Sequence, residues 1–174
     1  MNKKLMVGVF CVGMVAGAQA GLPDAGKLQA LKAGLQAQLD AFQPIRNGNG
    51  KCLALPVDLV KNSGTQGIAE NCEGKANQRW NVKDGMISNP GKLCLQAVPV
   101  KDQPTLVQAI TCIEAENKAP QTWVVTGDIN TGAALKFSNQ CLSTESNDAN
   151  ARLLLQGCDA KNPNQKWVLE PKAE

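Results

Sequence analysis

Three tetrapeptides constrain this chain more than anything else in it. They are Asn77-Gln78-Arg79-Trp80, Pro120-Gln121-Thr122-Trp123 and Asn164-Gln165-Lys166-Trp167. Their Trp residues stand 43 and 44 positions apart and are all the Trp the protein has. A fixed period of this length is the signature of repeated supersecondary units, so one long non-repetitive fold is excluded. A Cys-Leu pair precedes each Trp, at Cys52-Leu53, Cys94-Leu95 and Cys141-Leu142, and a second Cys follows at 72, 112 and 158. The units also begin alike. Ile45-Arg46-Asn47-Gly48-Asn49-Gly50-Lys51 resembles Ile87-Ser88-Asn89-Pro90-Gly91-Lys92 and, less closely, Leu135-Lys136-Phe137-Ser138-Asn139-Gln140.

Asn and Gly at these starts are turn residues. Short apolar runs between turns read as strands: Cys94 to Val98, Leu106 to Cys112 and Leu153 to Leu155. Lys83-Asp84-Gly85-Met86 reads as a hairpin turn, because Asp-Gly supplies two positive φ angles. Each unit thus offers about four short strands. Three units are too few for a propeller of about four or more blades. They suit a barrel with threefold pseudosymmetry, in which the strand near Ile45 pairs with the strand at Trp167 to Leu169 and leaves no open edge.

The ends of the chain read differently. Asn2-Lys3-Lys4, an apolar run from Leu5 to Ala18 and Ala18-Gln19-Ala20 form a signal peptide, residues 1–20, cleaved near Ala20. Cys11 leaves with it, and six Cys remain; an even number in an exported chain reads as three disulfides. No later stretch is long enough to span a membrane. Residues 21–43 form an extension rich in Ala, Leu, Gln and Lys. Leu28, Leu31, Leu35, Leu39 and Phe42 recur at helical spacing behind Asp24 as N-cap. This predicts a short amphipathic helix over 24–42 that lies against the domain surface or docks a partner.

Composition narrows the function. The chain has no His, which removes Ser-His-Asp and Cys-His catalysis, His-metal sites and a His pH switch. Eighteen Lys and Arg stand against 15 Asp and Glu, too weak a positive excess for a nucleic-acid partner. The acidic residues are scattered, and Glu70 and Glu73 near Cys72 read as solvated surface. No catalytic residue, metal site or cofactor is implied.

Gln-x-Trp three times in phase, each with its Cys-Leu and second Cys, resembles the ricin B-type lectin domain. The resemblance covers residues 45–170, within a domain placed at 44–174. It implies an all-β fold, a β-trefoil. It implies the disulfides Cys52–Cys72, Cys94–Cys112 and Cys141–Cys158. It also implies structural roles for Gln78, Trp80, Gln121, Trp123, Gln165 and Trp167, with Trp inside and Gln holding the turns. The implied function is a secreted carbohydrate-binding module. In sugar-binding members an Asp stands two after the first Cys, an aromatic two before the second, a Gln four before it, and an Asn before the Gln-x-Trp. Here the Asp places hold Ala54, Gln96 and Ser143, and the aromatic places Glu70, Ile110 and Gln156. The Gln places hold Ile68, Gln108 and Leu154. The Asn places hold Asn77, Pro120 and Asn164. Asn77, Gln108 and Asn164 alone match, and are the candidate carbohydrate contacts. The alternative is a protein-interaction or cell-binding accessory subunit of a bacterial toxin or secreted complex, for which the partner is a protein.

Overall fold

The computed structural model describes residues 25–113 and 119–171; the leader and Asp24 lie outside them. Each unit builds four strands from the short apolar runs. The first has β1 (Ile45–Asn47), β2 (Lys51–Ala54), a strand divided at Gly67 into β3 (Thr65–Gln66) and β4 (Ile68–Asn71), and β5 (Asn81–Lys83). The second has β6 (Met86–Ser88), β7 (Leu93–Val98), β8 (Leu106–Thr111) and β9 (Val124–Asp128). The third has β10 (Gly132–Phe137), β11 (Gln140–Thr144), β12 (Ala151–Gly157) and β13 (Trp167–Leu169).

The sheet closes on itself. β1 runs antiparallel to β13 with Ile45 opposite Leu169 and Asn47 opposite Trp167. Closure removes the edge that would otherwise offer unpaired backbone groups to another chain. The Asp-Gly turn forms as its residues require: Lys83 pairs with Met86, and Asp84 and Gly85 have φ of 51° and 75°. The third strands of the units meet around the pseudo-threefold axis. Thr65 pairs with Ala109, Ala69 with Ala151, and Leu106 with Leu154.

The interior is filled in threefold sets. Ile45, Ile87 and Leu135 are fully buried, as are Leu53, Leu95 and Leu142, and the three Trp join them. Each indole satisfies its polar edge inside its own unit: Trp80, Trp123 and Trp167 Nε1 donate to the carbonyls of Leu53, Leu95 and Leu142 at 2.8, 2.9 and 3.0 Å. A buried indole N–H needs such a partner, and the residue after the first Cys supplies it in all three units.

Each Gln of the repeat sits in a single 3-10 turn, at 76–78, 119–121 and 163–165. Its side chain clamps the segment around the second Cys. The amide nitrogens of Gln78, Gln121 and Gln165 donate to Asn71, Thr111 and Gly157 carbonyls, each the residue before that Cys. Their oxygens accept from the backbone N–H of Glu73, Ile113 and Asp159, each the residue after it. Disulfides Cys52–Cys72, Cys94–Cys112 and Cys141–Cys158 close the same segments.

Gln66 is the exception to the threefold pattern. Its amide nitrogen reaches the carbonyls of Gly67, Val107 and Leu153, one from each unit, at 2.8, 3.1 and 2.8 Å. It therefore ties the units together at the axis. Gln66→Ala is expected to cost about 1–2 kcal/mol, the worth of a small set of part-buried hydrogen bonds. The urea midpoint at constant slope measures it.

The extension forms α1 (Ala25–Asp40), but its described part does not lie on the domain. Residues 26–35 are exposed, with Leu28, Leu31 and Leu35 at 43%, 61% and 60%. The barrel fills its interior from its own three units and leaves the leucine stripe no core position. Of the other apolar positions, Phe42 is half-buried in the link after the helix, and the Leu39 side chain lies outside the described set. Among the described residues no helix is long and apolar enough to cross a membrane.

Candidate carbohydrate site

The three matching residues sit one per unit, and no hydrogen bond joins any two of them. Asn77 is buried, and its amide nitrogen donates to the Leu55 carbonyl at 2.8 Å and to Glu70 Oε2 at 2.9 Å. Gln78 also reaches Glu70, at 3.4 Å. Glu70 is therefore half-buried and bonded, not the solvated carboxylate its sequence position suggests. The neighbouring Glu73 is exposed and ion-paired with Lys75, as a surface residue would be. Gln108 lies half-buried on β8, opposite Gln96 of β7 and Gln66 of β3.

Asn164 has different surroundings. It precedes Gln165 in the 3-10 turn of the third unit, where Asn162 caps the turn by accepting from the Asn164 N–H. The β1–β2 turn of the first unit packs onto it. Gly48 N–H donates to the Pro163 carbonyl at 2.8 Å, and a Cβ on Gly48 would lie 2.9 Å from Pro163. Only glycine permits that approach. It carries Asn49 onto Asn164: Asn49 Nδ2 donates to Asn164 Oδ1 at 2.6 Å and to Asn147 Oδ1 at 2.7 Å. Asn47 holds the turn itself, its Oδ1 accepting from the N–H groups of Asn49 and Lys51.

Asn147 arrives from the loop between β11 and β12, and that loop is braced. The Arg152 guanidinium grips Glu145 with two bonds, Nε to Oε2 at 2.9 Å and Nη2 to Oε1 at 2.5 Å. This hydrogen bonding holds the Glu145 carboxyl below its usual range and raises Arg152. Ser146 Oγ bonds Asp148 at 2.9 Å within the loop. Three amides thus converge where units one and three meet. Asn49 Oδ1, Asn147 Nδ2 and Asn164 Nδ2 have no partner among the described residues, leaving one acceptor and two donors. Sugar hydroxyls both donate and accept, so such a set fits adjacent hydroxyls. Asn49 and Asn147 were not legible as site residues; the only signal was the Asn-rich turn at 47–49, read as punctuation.

The model of the ricin-type β-trefoil lectin domain matches residues 41–167. The chain belongs to the ricin-type β-trefoil lectin family. Three solved structures illustrate the shared fold. The designed threefold-symmetric protein ThreeFoil is 17% identical, with a TM-score of 0.63 over 74% of this chain and 97% of its own. The C-half of the earthworm R-type lectin, solved with GalNAc, is 18% identical, with a TM-score of 0.58 over 76% and 99%. The cytolethal distending toxin of Actinobacillus actinomycetemcomitans is 19% identical, with a TM-score of 0.59 over 78% and 94%. No curated protein matches the chain.

Within this lectin fold the place of the family's Asp in the third unit is taken by Ser143, fully buried, with its Oγ 3.4 Å from the Thr144 carbonyl. The third unit therefore has no carboxylate at that place. The aromatic place beside it holds Gln156, which is exposed. Among the described residues no group of three or more Cys, Asp or Glu is gathered to hold a metal ion. The three disulfides fit an extracellular, oxidising setting.

Proposed function

We propose that this protein is an exported lectin module that recognises a neutral saccharide through Asn49, Asn147 and Asn164. The observation that carries this reading is the convergence of three part-free amides at a unit junction of a lectin-family trefoil. Without a stacking ring, affinity rests on hydrogen bonds to hydroxyls and stays in the millimolar range, about −4 kcal/mol. The earthworm relative's GalNAc makes an N-acetylated sugar the first ligand to try. Gln108 and Asn77 are secondary in this reading: Asn77 spends its N–H groups inside the protein, and Gln108 faces other glutamines.

A glycan array followed by calorimetry tests it. The unmodified protein is expected to bind at least one neutral glycan class. Asn147→Ala, an exposed position, is expected to weaken binding about tenfold without lowering the melting temperature. An array blank across neutral glycans sinks the reading. The export component is checked separately: mass spectrometry of the protein recovered from its host is expected to place the mature N-terminus next to Ala20.

A second reading has its own observation, the exposed leucine stripe of α1. In it the helix docks a protein partner and the chain is an accessory subunit of a toxin or secreted complex. Pull-downs with and without residues 21–43 discriminate, since identical partners in both remove the helix from the role.

A further inference from the structure

Each Trp of the repeat pairs its backbone with one residue at the start of a unit. Gln43 N–H donates to the Trp80 carbonyl at 2.8 Å and Trp80 N–H returns to Gln43 at 2.9 Å. Trp123 N–H donates to Gly85 at 2.7 Å, and Ala133 lies opposite Trp167. These pairings align Phe42-Gln43-Pro44 with Asp84-Gly85-Met86 and Gly132-Ala133-Ala134. The third set is the smallest of the three. Where it lies, a cleft of about 360 Å³ opens, floored by Gly132, Ala133, Ala134 and the Cys141–Cys158 disulfide. None of the family's sugar positions lines it.

Lys136, Lys166, Asn162, Thr126 and Asp159 form its walls. In the first unit the residue matching Lys166 is Arg79, which turns back to the Phe42 carbonyl at 3.4 Å. Lys166 instead runs over Gly132: a Cβ there would lie 2.1 Å from Lys166 Cε. The missing side chain is what lets the lysine stem cross the cleft floor.

The hydrogen-bonding inventory of the cleft is lopsided. Asp159 Oδ1 already accepts from Lys161 N–H at 2.9 Å, and Asn162 Oδ1 from Asn164 N–H at 3.0 Å. The Lys136 and Lys166 ammonium groups and Asn162 Nδ2 have no acceptor among the described residues. Two cations against one carboxylate leave the cleft positive. With no aromatic wall, a neutral ring has no face to stack on, and binding must come from charge-assisted bonds. A volume near the lower end for ligand sites, roughly 300 Å³, admits one sugar-sized ring.

We propose that this cleft binds a carboxylate-bearing sugar residue of the uronate class, the carboxylate between Lys136 and Lys166 and the hydroxyls toward Asn162 and Thr126. The site is separate from the asparagine cluster and stands or falls without it.

Titration of the isotope-labelled protein with glucuronate, glucose and inorganic phosphate tests it by amide chemical shifts. Glucuronate is expected to bind at roughly millimolar Kd, about tenfold tighter than glucose, and to shift Ala134, Lys136 and Lys166. Lys136→Gln and Lys166→Gln are each expected to weaken it about fivefold, as is raising the salt from roughly 0.05 to 0.3 M. Ala134→Leu, which fills the floor, is expected to block it while the spectrum elsewhere stays native. Glucuronate binding no tighter than glucose overturns the proposal, as do shifts confined to Asn49, Asn147 and Asn164. Phosphate matching glucuronate also overturns it, because the cleft then reads only a bare anion.

Discussion

Reduction of the three disulfides is expected to lower the melting temperature by about 15 °C or more. The bridges span sequence separations of 20, 18 and 17 residues. In the chain-entropy account each such loop contributes about 3 kcal/mol, so three approach about 9 kcal/mol. A domain of this size has a total stability of roughly 5–15 kcal/mol, and each kcal/mol shifts the midpoint by about 2–4 °C. The dependence is steep here because the strands are short, from two residues in β3 to seven in β12. Few aromatics are available to fill the interior. Cys72 and Cys158 are exposed, so a reductant reaches two bridges without prior unfolding. Thermal melts with and without dithiothreitol measure the effect, and a shift below about 5 °C contradicts it.

Replacement of any one repeat tryptophan by alanine is expected to cost about 4 kcal/mol. Truncating a large buried aromatic loses its transfer free energy and leaves a cavity, typically about 3–5 kcal/mol. Trp80 and Trp167 have no exposed surface and Trp123 has 2%. Each also leaves a buried carbonyl without its indole donor. Trp123 has a further contact, with its ring 5.8 Å from that of Phe137. Tryptophan to phenylalanine retains most of the volume and is expected to cost about 1–3 kcal/mol, chiefly the lost Nε1 bond. Val124→Ala, next to Trp123 but 60% exposed, serves as control and is expected to stay within about 0.5 kcal/mol. Urea unfolding of the set measures the differences. A Trp→Ala cost below about 1.5 kcal/mol would falsify the structural role of the repeat.

The scaffold was readable because its parts repeat locally. The backbone groups that Gln78, Gln121 and Gln165 clamp lie five to ten residues away, and each disulfide closes within one unit. Such contacts leave a phased imprint on the chain. The site was legible only at Asn164. Asn49 bonds to Asn164 across 115 positions and to Asn147 across 98, and neither spacing has any period to betray it. Glu70 misled for a different reason: its burial depends on where the Asn77 and Gln78 amides point, which a place near Cys72 does not show. The leucine stripe of α1 had true helical spacing, but spacing says nothing of whether a surface exists to receive it.

The amino-acid sequence by itself determined the three units and their short strands, because turn residues, Cys-Leu pairs and Gln-x-Trp recur in phase. The bridges and the buried indoles came from the family resemblance that those motifs carry, and the structure bears both out. Tertiary structure decided where units one and three touch, and hence which amides converge at Asn164. It also decided that Gly132, Ala133 and Ala134 open a cleft where the other units carry bulkier chains. The first is a product of barrel closure, which brings residues some hundred positions apart into contact, and the second arises between residues 126 and 166, where β10 pairs with β13.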